Sequence, residues 1–508
     1  MKMRSFLFAT LLMVAHLEVY CINKSIYSVG DSGLFVPFHD GSVFHIDDSL
    51  LKIEWPDACV KPSVRVAKRG VFSHNLRLHF TPDNPTIPNY LIIAENSLYN
   101  SLSAEVKTYA EDAHAIYGYG VYIETVQYPT PEDVKSLIVS YNNLCGVLFI
   151  GDVGECLFEI DEDHGEYGYR RWPCDLYYMD LDGIWMDHNY NGIYDIHYGN
   201  VAPDIFFGRL STVGLSSLGD EIALIRRQLR KSHEYWWKSS FHASSTVLNY
   251  IDIDWNDMFF PNEIVPVFSS GNVTDIRNGS STGTNFSVSD YLSRIANSSY
   301  GFTHLAAHSS PEKHHFTNGY IYTSDINAVN SYNYAYNLFC CNACNWSLDS
   351  IAEYIGGSYL FNNGKTLTVI GSTKTGGMEN SASFYSMLPA NHIGNAFKLW
   401  WNILYGNNHS LNAISWSYGM TILGDPIIDT RYKVSNKCVN SLILTEFPNE
   451  NSSNLVIYKA GSSINVSGSF VIPQGVHVVF DAPTVTLEST FSCPLGASFE
   501  IRNEGCEL

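Results

Sequence analysis

The sequence predicts an α/β protein with doubly wound, mostly parallel sheets in two subdomains, followed by an all-β module. From Asn89 onward, apolar strand signals alternate with helical periods. Strands joined through helices pair in parallel, because each crossover returns the chain to the same end of the sheet. Several of these strands stop at polar or reactive residues, and in such sheets the active groups belong at the carboxyl ends of strands. From residue 433 the pattern changes to short alternating segments broken by turns.

Taken in order, the chain opens with Lys2 and Arg4 ahead of an apolar run, Phe6–Ala15. This is the layout of a secretory signal, residues 1–21, and the run is too short to span a bilayer. No later stretch reaches the ~18 apolar residues a membrane span needs. Residues 22–85 read as a β-rich segment or a short propeptide, and Lys68–Arg69 is either an exposed basic pair or a processing site.

The first αβ subdomain, 86–235, holds the strands NYLIIAE (Asn89–Glu95), GVYIETVQ (Gly120–Gln127), CGVLFIGDV (Cys145–Val153) and PDIFFGRLS (Pro203–Ser211). Helical periods cover Ser103–Ile116, the stretch after Pro131, and Leu215–Tyr235. The second, 236–432, starts with STVLNYIDIDW, a strand ending in Asp252 and Asp254. It continues through a Ser-capped helix (Ser287–Tyr300), the strand FTHLAAHSS (Phe302–Ser310), and the strand NLFCC with its turn NAC. LTVIGSTKTGG (Leu367–Gly377), a helix over Ile393–Leu404 and MTILGDPIID (Met420–Asp429) close it. Residues 433–508 form the all-β module, β-solenoid-like in its short rungs.

The chain has 508 residues, 16% of them charged, and a formal net charge of −21. That charge argues against nucleic acid or an anionic membrane surface as a main partner and leaves room for bound cations. There are 11 cysteines. The chain is too large to be a cysteine scaffold, but export permits disulfides, and two of Cys438, Cys493 and Cys506 could pair.

Two strand ends carry reactive side chains: His308 on one, and Cys340 and Cys341 on the other. An imidazole beside a thiol raises its thiolate fraction and can protonate a leaving amine. Two metal readings compete. His304 and His308 have the i, i+4 spacing of a zinc helix but lack the adjacent Glu, and their flanks are β-like. Cys341-Asn-Ala-Cys344 is a lone CxxC, where zinc usually needs a second pair. A third candidate is Asp187-His-Asn-Tyr-Asn-Gly-Ile-Tyr-Asp195. Asp187, Asn189, Asn191 and Asp195 match the oxygen-ligand positions of a calcium loop, with the Ile193 carbonyl as a further ligand. The same spacing also makes an Asx-rich turn held by its own side chains.

A series of motifs stands in order: GDV (Gly151–Val153), DLYYMDLDGIW (Asp175–Trp185), PDIFFGRL, HLAAHSS, FCCNAC, VIGSTKTGG (Val369–Gly377) and ILGDP (Ile422–Pro426). Together they resemble the gingipain-type cysteine peptidases, relatives of the caspase fold, over about residues 86–430. The resemblance implies a caspase/gingipain-like fold, with His308 as catalytic histidine and Cys341 as nucleophile; Cys340 and Cys344 are the alternatives. It implies an oxyanion held by the backbone N–H groups of Cys341 and Ser309, Gly371 and Ser372 along the substrate cleft, and Asp175 where arginine-specific members select a basic P1 side chain. Glu155 is a candidate to orient His308. The family's glycines around the histidine are here Ala307 and Ser309. The tail resembles β-rich C-terminal modules of secreted Bacteroidota proteins.

The expectation is a secreted or cell-surface cysteine endopeptidase that acts on proteins or peptides. It needs no cofactor for catalysis and carries a structural Ca²⁺. The alternative is an impaired peptidase scaffold serving binding or adhesion.

Overall fold

The computed structural model describes residues 71–508 except 164–167, 239–240, 242–243, 267, 278–285, 348–352, 407–414, 431–437, 449–452 and 508, and also a hairpin pairing Leu34–Pro37 with Val43–Ile46. The signal segment and Lys68–Arg69 lie outside the described residues.

Eleven strands form one sheet. In chain order they are β1 (Ser73–Phe80), β2 (Asn89–Glu95), β3 (Gly120–Gln127), β4 (Leu144–Ile150), β5 (Phe206–Leu210) and β6 (Val247–Ile251). Then come β7 (Val273–Arg277), β8 (Phe302–Ala306), β9 (Ala335–Phe339), β10 (Thr368–Ser372) and β11 (Met420–Gly424). The spatial order is β7-β6-β8-β9-β10-β11-β5-β4-β2-β3-β1. Strands β2–β5 of the first αβ unit read from the sequence lie in one half of this sheet and β6–β10 of the second in the other, whereas β11, read with the second unit, lies in the first half. Neighbours are parallel within β6–β10, and again among β2, β3, β4, β5 and β11. The halves meet antiparallel at β10–β11, with Ser372 opposite Met420, and the edge strand β1 is also antiparallel. It follows that the carboxyl ends of β8, β9 and β10 lie at one edge of the sheet and those of β2, β4 and β5 at the other.

Between its edge strands β1 and β7 the sheet is covered on both faces, so its inner strands are largely apolar. Successive residues of β2 enter opposite cores: Leu91 and Ile93 one, Tyr90, Ile92 and Ala94 the other. Each such side chain contributes about 1.5–3 kcal/mol by leaving water. Helix Asn96–Tyr117 buries Leu98, Leu102, Val106 and Tyr109, one stripe at helical spacing, and stops at Gly118, whose φ of 70° is the left-handed geometry of a helix C-terminus. Helix Pro131–Val139 starts with proline and a reciprocal cap between Thr130 and Asp133. The helix expected over Leu215–Tyr235 runs from Glu221 to Trp237, because Asp220 caps it by accepting from Ala223 N–H.

In the C-terminal module the rungs stack in parallel: Leu455 pairs with His477, and His477 with Ser498. Cys438 and Cys506 are joined by a disulfide and Cys493 is free. The module packs on the first half of the sheet. Arg502 makes two hydrogen bonds to the Glu111 carboxylate, and the Asn454 side chain accepts from Thr81 N–H at 2.8 Å.

Candidate active site

β8 and β9 are adjacent and parallel, with Ala306 opposite Phe339. His308 and Cys341 each lie two residues beyond that pair, at the same level of the same edge. Past β8 the chain enters an antiparallel meander of His308–Ser310, Lys313–Phe316 and Gly319–Tyr322. Past β9 it turns sharply, with Asn342 at φ 58°. The turn is zipped to the loop after β10: Asn342 N–H donates to Lys374 O at 2.8 Å and Cys344 N–H to Ser372 O at 2.9 Å. Gly371 lies beneath this turn, where an added Cβ would come 2.6 Å from Cys344 Sγ.

Of the three neighbouring thiols, Cys340 and Cys344 are fully buried and Cys341 is only partly so. Burial pushes all three thiols up, and Cys340 well above its ordinary value. At Cys341 the Gly376 N–H and the Lys374 cation oppose that rise. Cys341 is thus a thiol that solvent can reach but that needs a base to ionise readily.

His308 is half exposed, and its Nε2 lies 3.0 Å from Asp254 Oδ2. Asp254 follows β6, which lies beside β8 in the sheet. The Trp255 ring flanks both the His308 ring, at 5.4 Å, and Phe339, at 5.0 Å. The carboxylate at His308 is therefore Asp254, whereas Glu155 acts on Arg209. The other histidines of the region are structural. His304 is buried with Nδ1 2.6 Å from Tyr385 Oη, and burial pushes it down to about 3. His314, 3.1 Å from Tyr359 Oη, is pushed down to about 3 by burial and then by His315. Because His304 is in a strand, four residues separate it from His308 by roughly 13 Å. That is too far for the pair to share a zinc ion.

The residues expected to bind substrate are largely enclosed. Asp175 Oδ1 accepts from Arg209 Nη2 at 2.7 Å and its Oδ2 from Thr421 Oγ1 at 2.7 Å, and both charged side chains are buried. Its charge is already matched inside the protein. Gly371 and Ser372 are buried, and Ser372 Oγ accepts from Lys374 N–H. Ser309 lies opposite His314, and its hydroxyl donates to the Ser310 and Lys313 carbonyls. A second buried ion pair, Lys374–Asp163 at 2.8 Å, ties the segment after Ile160 to the loop that holds Cys341.

The Asp187–Asp195 segment closes a hairpin between Ile184–Met186 and Ile196–Tyr198. Asp187 accepts from Asn191 and Gly192 N–H, Asn189 from Asn191 N–H, Asn191 from Ile193 N–H, and Asp195 from His188 N–H. Glu159 Oε1 lies 2.6 Å from the amide nitrogens of both Asn189 and Asn191. Asp180, Asp182 and Asp204 form a separate acidic cluster, in which Asp180 is also bonded to His197 and Trp185.

The gaps in the sequence reading have identifiable causes. Asp254 was visible as a strand-end carboxylate, but nothing in the sequence orders β6 next to β8. Arg209 left a clearer trace, since an arginine inside the apolar run FFGRL requires a buried counter-charge.

No curated protein matches the chain. Among solved structures it is similar to the Arg-specific cysteine proteinase gingipain R, with 12% identity, 71% of this chain and 82% of that chain covered, and a TM-score of 0.49. It is also similar to the complex of the Porphyromonas gingivalis RgpB pro- and mature domains, with 12% identity, 70% and 81% covered, and a TM-score of 0.47. The family model of Peptidase family C25 matches residues 83–431, most of the chain. The protein belongs to peptidase family C25, a family of cysteine peptidases.

Proposed function

We propose that the protein is a secreted cysteine endopeptidase in which His308 and Cys341 form the catalytic dyad. The observation that carries this reading is that Cys341 alone of three adjacent thiols is open to solvent, at the strand level of a half-exposed histidine. His308 takes the Cys341 proton, and the thiolate attacks the peptide carbonyl. The tetrahedral oxyanion is held by the N–H groups of Ser309 and Cys341, donors of a kind worth a few kcal/mol in the transition state. The C–N bond breaks as His308 protonates the leaving amine. Water, deprotonated by His308, then hydrolyses the thioester and restores the thiol. Asp254 holds the imidazole in orientation through its hydrogen bond. These steps call on no cofactor.

Selection of a basic P1 side chain by Asp175 would require its pairing with Arg209 and Thr421 to open, so a free acidic selector is not favoured. A structural Ca²⁺ at Asp187, Asn189, Asn191 and Asp195 gains a further oxygen donor in Glu159. The signal-like start supports export, and among the described residues no helix is long and apolar enough to cross a membrane.

The test is covalent labelling with a peptidyl thiol reagent, located by mass spectrometry, alongside a Cys341→Ala variant. Label on Cys341 and loss of cleavage in the variant are expected. Cleavage that survives Cys341→Ala would overturn the assignment. A protein that neither labels nor cleaves would support the binding-scaffold alternative.

A further inference from the structure

We propose that the loop Ile253–Phe260 is an apolar subsite for the leaving-group half of the substrate, so that the enzyme selects apolar side chains just C-terminal to the scissile bond. This rests on the dyad reading above. The sheet order β6-β8-β9 starts the loop on the side of His308 away from Cys341, and Trp255 and Phe259 reach back to Phe339 on β9. The imidazole that protonates the leaving amine must face it, so the departing half of the peptide crosses the histidine side of the dyad.

The loop shows solvent an unusual set of side chains. Ile253, Met258 and Phe260 are 41%, 36% and 45% exposed. Trp255, partly buried, lies against the ring of His308, and Phe260 lies against the Arg277 guanidinium. Apolar groups gathered beside a reactive centre mark a contact surface more often than isolated exposed ones do.

The backbone that presents them is firmly held. Arg277 donates to the carbonyls of Asn256, Met258 and Phe259, and Asn249 Nδ2 donates to Phe259 O. Asp252 accepts from Ile253 N–H and, across the meander, from Thr317 N–H and Oγ1. Phe259 itself sits at φ 56°, a conformation a non-glycine residue keeps only when its surroundings enforce it. A loop tied at this many points has little freedom left to lose on binding. The loop's own charges are two exposed carboxylates, Asp254, hydrogen-bonded to His308, and Asp257, while Arg277 beneath it pairs with Asp275. The surface therefore favours apolar over acidic partners.

The experiment uses the full chain and a peptide series varied only at the two positions C-terminal to the cleaved bond. Leu or Phe there should raise kcat/KM about tenfold or more over Gly or Asp, the discrimination an apolar pocket typically reaches. In Met258→Ser and Phe260→Ser variants the Leu-to-Gly ratio should fall toward one. An unchanged ratio, or a preference for charged residues, overturns the subsite. Binding of the same peptides to Cys341→Ala by calorimetry is the second arm, independent of turnover. If the wild type fails to cleave or label while this arm still shows the Leu preference and its loss in Met258→Ser, the dyad reading fails and the surface stands. If the wild type cleaves but neither arm shows the preference, the surface fails and the dyad stands.

Discussion

The first half of the sheet carries a buried ion pair in its core. Arg209 on β5 meets Asp175, both buried, and Trp346 lies over the guanidinium at 4.3 Å. In the second half three polar side chains stand at strand ends where solvent reaches them: Asp254 after β6, His308 after β8, Cys341 after β9. Both halves have the same αβ construction. The difference arises where they join, because the antiparallel contact of β10 with β11 sends their carboxyl ends to opposite edges. Carboxylates of the two halves differ in their surroundings, Asp175 enclosed with Arg209 and Asp254 exposed beside His308.

The strongest challenge to this comparison is Arg209→Met. Removing one partner of a buried pair leaves the other charge uncompensated, at about 3–5 kcal/mol. Urea unfolding should show that loss, while the cleavage preference of the folded protein stays as in the wild type. A changed preference for basic P1 residues with little loss of stability would make Asp175 a substrate residue after all.

Acid titration separates structural from functional histidines. His304 and His314 are pushed down to about 3 by burial, so the folded protein holds them neutral while the unfolded chain protonates them near 6.5. Their stabilising share is complete above pH 6.5 and is lost as pH falls toward 3. Between pH 6.5 and 5 each should remove about 2 kcal/mol. Unfolding at the two pH values should show a drop that is smaller by this share in His314→Gln. An equal drop in the variant would remove His314 from the structural set.

Asp254→Asn should have the opposite character. We expect kcat to fall about tenfold, equivalent to ~1.4 kcal/mol, with KM little changed and stability within about 0.5 kcal/mol, as for exposed positions. Asp254→Glu should restore part of the rate. A variant that loses stability but not kcat would place Asp254 among the structural carboxylates. The smallest effect is expected from Ca²⁺ at Asp187–Asp195. Saturating ion should raise the melting temperature by about 2 °C or more and a chelator should reverse it. No response to either would leave the hairpin as a turn held by its own side chains.

Much of this was legible in the sequence, for a physical reason. Strands buried on both faces are apolar runs, and a run that stops at His308 or Cys341 announces where the chain leaves the core. The motif order was enough to indicate the family. What could not be read was lateral order. Nothing in STVLNYIDIDW says that its strand lies beside β8, so the role of Asp254 depended on the structure. The family resemblance put Asp175 at the substrate, and its partner Arg209 lies too far along the chain for the sequence to reveal the pairing. The resemblance favoured Cys341 over Cys340 and Cys344, but their different burial depends on how the turn after β9 folds back onto β10, which the sequence does not show.

The contact between Thr81 and Asn454 has a consequence in time. The residue that follows the edge strand β1 is bonded to one 373 positions later. At about 5–20 residues per second, a ribosome takes roughly 20 to 75 seconds to make that interval. The strands bearing His308 and Cys341 emerge within it. In order of synthesis, the strands bearing His308 and Cys341 are made first, and the bond between the edge strand's end and the C-terminal module forms afterwards.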